Sequence, residues 1–89
     1  ILGGNVHLMK YSNLGIKTIV HQNQVIGSYT MVGMGSIITK KKIIKPGYIY
    51  YGKPVKLIKK NKFIIKKLKI DENNLIKETH RFKMIKKEI

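Results

Sequence analysis

Leucine, valine or isoleucine stands at every sixth position from Leu2 to Ile44: Leu2, Leu8, Leu14, Val20, Ile26, Val32, Ile38 and Ile44. Four of the residues that follow them are glycine (Gly3, Gly15, Gly27, Gly33), and the place four beyond is small or β-branched in Val6, Ser12, Thr18, Thr30 and Ser36. A period of six fits neither the roughly 3.6 of an α-helix nor the alternation of a simple strand. It suits a chain that turns a corner after each short strand. Three such strands close a triangular coil, and stacked coils bury the aliphatic column. A fixed repeat of this kind announces a solenoid, here a parallel β-helix.

The repeat organises residues 1–54. Pro46-Gly47 is a turn signal, Tyr48–Tyr51 reads as a last strand, and Gly52-Lys53-Pro54 ends it. From Val55 the period changes. Leu57, Ile58, Ile64, Ile65 and Leu68 fall on one helical face, which predicts a basic amphipathic helix of about three turns within 55–69. Asp71 then reads as an N-cap with Glu72 in the first turn, and Ile70 and Leu75 are spaced as a hydrophobic staple. Leu75, Thr79, Phe82 and Ile85 or Lys86 form one face of a second helix, so 55–89 is expected to be a helical tail. Eight hexads make fewer than three coils, and the repeat is already running at Ile1 with no polar cap. The chain therefore reads as the C-terminal part of a longer protein, or a short form that depends on oligomerisation.

Charge is the second constraint. The net charge is +15, from 19 basic and 4 acidic residues. Residues 1–39 hold only Lys10 and Lys17, whereas 40–69 carry a run of lysines and no acid. Such a field attracts anions: nucleotide phosphates, anionic lipid or an acidic carrier protein. The chain has no alanine, many isoleucines and a single arginine, a bias that AT-rich codon usage would produce, so the lysine excess reads as genome bias before function. Nucleic acid is disfavoured, because no stacking aromatics or binding motif accompany the lysines. The uncharged stretch Thr18–Thr39 is broken by His21, Gln22, Asn23, Gln24, Ser28, Thr30 and Ser36, which excludes a membrane span. There is no cysteine, which fits a reducing cytoplasm and removes thiolate metal sites. No metal or other cofactor is expected.

Few residues can carry chemistry. With four acids, carboxylate general acid/base work is improbable, and no Ser/His/Asp set exists. By position alone His21 is a polar residue on an outer face, Gly4 is a corner glycine needing positive φ, His7 is structural or exposed, and His80 is solvated.

The ordered motifs resemble a family. The hexads and the ending Tyr51-Gly52-Lys53-Pro54-Val55 are similar to hexapeptide acyltransferases. Gly4, Val20-His21-Gln22 and Ile26-Gly27-Ser28-Tyr29-Thr30-Met31-Val32-Gly33, followed by Asn61 and the Asp71-led helix, resemble more closely the UDP-N-acetylglucosamine O-acyltransferases of lipid A synthesis. The resemblance spans Leu2 to about Ile85 and implies a left-handed β-helix, a homotrimer with active sites between prisms, and a cytoplasmic enzyme. It implies transfer of an acyl chain from acyl carrier protein to the 3-hydroxyl of a UDP-sugar, with a histidine as general base and a glycine N–H as oxyanion donor. Gly4 matches that glycine. The base falls before residue 1, so the chain alone is expected to be inactive.

By the same resemblance Asn5, His21, Gln22, Asn61 and Lys67 line the sugar-nucleotide site. Asn5 replaces the family's usual histidine, and Lys67 keeps a positive charge without arginine's bidentate fork. Those departures make another sugar nucleotide plausible. Two alternatives stay open: an acetyl-coenzyme A-dependent hexapeptide sugar acetyltransferase, and a non-catalytic remnant.

Overall fold

The computed structural model describes residues 1–40 and 42–88; Lys40–Lys45 reads in the sequence as a charged corner, and Lys41 within it lies outside the described residues. The chain is mainly β with two C-terminal helices. Six two-residue strands come first: β1 His7–Leu8, β2 Asn13–Leu14, β3 Ile19–Val20, β4 Val25–Ile26, β5 Met31–Val32 and β6 Ile37–Ile38. They are spaced by six, as the aliphatic column requires. Each pairs in parallel with the strand three places on: β1 with β4, β2 with β5, β3 with β6. The pairing His7↔Val25 sets an offset of eighteen residues, three hexads, and the bridges Leu2↔Val20 and Ile26↔Ile44 extend the same ladders. The hexad thus builds a three-sided coil with one ladder per side.

Corners follow the same period. Asn5, Tyr11, Lys17, Asn23 and Tyr29 all have φ between 56° and 63°, and Gly35 and Gly47 take φ of 70° and 85°. At these seven corners the left-handed residue sits three places after the aliphatic, whether or not it is glycine. Tyrosine and lysine are ordinarily disfavoured there, and the ladder hydrogen bonds on either side hold them in place. Examples are His7 N–H to Gln24 O at 2.9 Å and Gly15 N–H to Val32 O at 2.8 Å. The glycine column answers a different need. A Cβ on Gly3 would lie 2.6 Å from Gln22 N, and one on Gly15 the same distance from Met34 N. These glycines let successive coils approach.

The core is the aliphatic column itself. Val20, Ile26, Val32, Ile38 and Ile44 are buried, and Tyr50 and Val55 complete the cluster. Tyr50 continues the period of six beyond Ile44, so it is a ninth inward position. Leu14 packs half-buried against the cluster. Leu2 and Leu8, expected inward, are 49% and 45% exposed in this 89-residue stretch, where only the following coil packs on theirs. Thr30 and Ser36 turn their hydroxyls to the carbonyls of Gly27 and Gly33, both at 2.7 Å, which satisfies these two buried hydroxyls.

The tail departs from expectation. Strand β7 Tyr48–Gly52 pairs in parallel with β5, and β8 Val55–Lys60 turns back to pair with β7 antiparallel. Residues 55–60 are therefore strand, where a helix was expected. The free edge of β7 offers a row of unpaired N–H and C=O groups, and a short turn brings Val55–Lys60 alongside to satisfy them. Helical spacing of Leu57 and Ile58 could not outweigh that. Only Lys62–Lys67 forms helix α1, and α2 runs Glu72–Glu88. Asp71 Oδ1 accepts the Asn74 N–H at 2.8 Å, the expected N-cap. Phe82 of α2 is buried with Met9 and Val25, and Ile85 packs beside them, which clamps the helix on the β4 side of the coil.

Candidate functional site

The residues implicated by sequence divide between two places. Gly4, Asn5, His21 and Gln22 meet at one corner. His21 follows the inward Val20, so its side chain projects outward, and its N–H donates to Ile38 O at 3.0 Å. Gln22 then lies against Gly3, and the Asn23 N–H donates to Gly4 O at 3.0 Å. His21, Gln22 and Asn5 are exposed, and among the described residues no side chain hydrogen-bonds the His21 imidazole. An open depression of about 430 Å³ lies here, lined by Ile1, Gly3, Ile19, Val20, His21 and Gln22. Such a surface offers an imidazole and an amide to a polar ligand.

Gly4 is not a left-handed corner residue. That conformation falls on Asn5, at φ 62°. A Cβ on Gly4 would meet nothing within 4 Å, so neither dihedral angle nor crowding demands glycine there. The glycine that crowding does demand is Gly3. Its place in the glycine column was the available signal.

Asn61 and Lys67 lie elsewhere. Asn61 is buried at the start of α1. Its Nδ2 donates to Tyr29 O at 3.0 Å, and its N–H donates to Gly47 O at 2.8 Å. Both acceptors belong to the corner formed by Tyr11, Tyr29 and Gly47. The amide nitrogen is thus committed to anchoring the tail. Asn61 also borders a depression of about 280 Å³ with Tyr11, Ser12, Asn13, Phe63 and Ile64 among its walls. Lys67 is exposed, with Nζ 5.7 Å from the Phe63 ring centre. Neither depression contains residues of both groups.

Two features escaped the sequence reading. Tyr11 and Tyr29, one coil apart, stack with ring centres 5.7 Å apart and planes at 14°, and Lys10 Nζ lies 5.9 Å from the Tyr29 ring. Their separation of three hexads was the usable signal. Glu78 is buried, with Oε2 at 3.7 Å from Lys10 Nζ and 3.9 Å from Arg81; nothing in a one-dimensional reading links Lys10 to α2. At the far end of the core, burial pushes the Tyr50 phenol above its usual range, while the Lys45 N–H donating to its oxygen at 2.9 Å opposes the shift. Among the described residues no cluster of three or more His, Cys, Asp or Glu could hold a metal, and no helix is long and apolar enough to cross a membrane.

Comparison with known proteins gives a consistent class. No family model matches the sequence, and no curated protein matches it. Solved structures do. A variant of an N-acyltransferase from Bacillus cereus, in complex with dTDP-4-amino-4,6-dideoxyglucose and coenzyme A, shares 38% identity over 81% of this chain and 36% of its own, with a TM-score of 0.62. A maltose O-acetyltransferase from Clostridium difficile shares 29% identity over 62% of this chain and 28% of its own, with a TM-score of 0.57. Arabidopsis UDP-N-acetylglucosamine acyltransferase shares the fold, with a TM-score of 0.70 over 79% of this chain and 24% of its own, at 20% identity. The chain spans between about a quarter and a half of the length of the solved structures it matches. The proteins it is similar to are acyl- and acetyltransferases.

Proposed function

We propose that this chain is part of an acyltransferase acting on a nucleotide-linked sugar, most specifically one that moves an acyl chain from acyl carrier protein to UDP-N-acetylglucosamine. The observation that carries the reading is the exposed His21–Gln22 corner, free of side-chain partners among the described residues, in a coil whose solved likenesses are acyltransferases. In this reading the coil is left-handed. The His21 imidazole and Gln22 amide hydrogen-bond the sugar or its phosphates, and Asn5 adds a further donor. The backbone N–H of Gly4 faces the oxygen that gains charge when the sugar hydroxyl attacks the thioester. The general base that takes the hydroxyl proton lies outside this chain. The division of site residues between two corners supports a homotrimer in which the His21 corner of one copy faces Asn61 and Lys67 of the next.

A second reading has its own support. The 38% identity to an N-acyltransferase solved with coenzyme A favours an acyl-coenzyme A donor and another sugar nucleotide. Assays of the full-length enzyme with UDP-N-acetylglucosamine and with dTDP-4-amino-4,6-dideoxyglucose as acceptors, each with acyl carrier protein thioester or acetyl-coenzyme A as donor, separate the two. His21→Ala should raise the KM for the sugar nucleotide several-fold, since one hydrogen bond is worth about 1 kcal/mol. An unchanged KM would return His21 to a surface role. Turnover by the 89-residue chain alone would show that the base is not outside it.

A further inference from the structure

A cleft separate from the His21 corner runs between α2 and the coil. Its volume is about 450 Å³, within the range of small-ligand sites. The exposed Ile43 and the Thr79 methyl, backed by the buried Phe82 ring, supply an apolar floor, and Lys45, Lys83, Lys86 and Lys87 stand around it. Phe82 is 3% exposed and fixed by Met9 and Val25, so the floor is part of the packed fold. Lys86 Nζ lies 5.9 Å from the Phe82 ring centre, which places one cation directly over the apolar surface. None of the residues lining the cleft is an acid.

We propose that this cleft binds a single-chain amphiphilic anion: an alkyl chain of moderate length ending in a carboxylate or phosphate. Two complementarities select that class. Lysine stems lie along apolar surface while their ammonium groups reach for water, so the lining is apolar below and cationic at the rim. An alkyl chain removes the floor from water, and an anionic head relieves the mutual repulsion of four like charges. Nucleic acid fits poorly, because the buried Phe82 face is not free to stack on a base. A neutral lipid leaves the four cations unanswered. The proposal does not rest on the acyltransferase reading, since no residue assigned to that site lines this cleft.

The test is calorimetric titration of the chain with decanoate and with decyl phosphate, each below its micelle concentration. Decyl maltoside and inorganic phosphate serve as controls. One equivalent of either anionic amphiphile should bind, and the tighter of the two names the head group. Both controls should bind at least about tenfold more weakly. Lys83→Glu combined with Lys87→Glu, both at exposed positions, should weaken binding by about tenfold or more with an unchanged circular dichroism spectrum. Thr79→Trp should block it by filling the cleft. Equal binding of the maltoside, or affinity indifferent to the lysine reversals, would overturn the anion requirement. Unaltered binding by the Thr79→Trp chain would overturn the location.

Discussion

Leu8 and Ile26 occupy the same place in the hexad and stack in the same ladder, yet Leu8 is 45% exposed and Ile26 is wholly buried. Residue type does not separate them, and neither does backbone geometry. The difference is that, within these 89 residues, Ile26 lies between Leu8 on one side and Ile44 on the other, while Leu8 meets only the Ile26 coil. In a solenoid each coil is stabilised by its neighbours, so burial is a property of the stack. The same logic holds at the other end, where Tyr50 and Val55 close the column and β8 pairs the free edge of β7.

The largest expected effect breaks this pair apart. Ile26→Asp should unfold the chain or cost about 3–5 kcal/mol, because an uncompensated charge would sit between two coils. Leu8→Asp, half in water, should cost far less. Thermal melts of the two variants compare them directly, and equal melting temperatures would mean that the stack does not decide burial.

Next in size is the contrast between glycines. Gly15→Ala drives a Cβ to 2.6 Å from the Met34 nitrogen and should destabilise by about 1–3 kcal/mol. Gly4→Ala meets open space and should stay within about 0.5 kcal/mol. Denaturant unfolding measures both. A Gly4 variant as unstable as the Gly15 one would assign Gly4 a structural role.

Asn61→Ala removes the amide that donates to Tyr29 O, leaving that carbonyl to find another partner, and should cost about 1–2 kcal/mol. Chemical denaturation of the variant is the measurement. An unchanged midpoint would show that α1 is not held through Asn61.

The smallest effect tests the closed end of the column. The Tyr50 phenol has its pKa raised in the folded state above the ordinary 10.0, so the folded chain keeps this proton where the unfolded chain has lost it. Its stabilising contribution is complete below pH 10 and is lost as pH rises through the folded pKa. The slope is at most about 1.4 kcal/mol per pH unit. Tyr50→Phe should unfold with a shallower decline above pH 10 than the parent. Parallel curves would place Tyr50 in water.

The coil was legible in the sequence and the tail was only partly so. Six-residue spacing specified the strand positions, and the eighteen-residue offset follows once three strands close a turn. Asp71 capping a helix and Phe82 on its buried face were also readable, since both depend on neighbours a few residues away. The strand at 55–60 was not. Its sequence carries helical spacing, and only the unpaired edge of β7 makes a strand the better use of its backbone. Site residues behaved in the same way. His21 was placed outward by its position after Val20, whereas nothing in the one-dimensional pattern showed that the Asn61 amide nitrogen also anchors α1 on Tyr29 O. Its partner lies 32 residues away in sequence.

What the sequence determined by itself is therefore whatever repeats: the hexad, the inward column, the corners and the glycines that admit the next coil. Each is enforced by steric demands recurring at fixed intervals along the chain. What the tertiary structure decided is whatever happens once: how the last edge is paired, which face of the coil α2 covers, where Glu78 finds Lys10, and the split of candidate residues between two corners. Those outcomes depend on contacts between segments far apart in sequence, and on backbone groups that must find partners wherever the repeat stops supplying them.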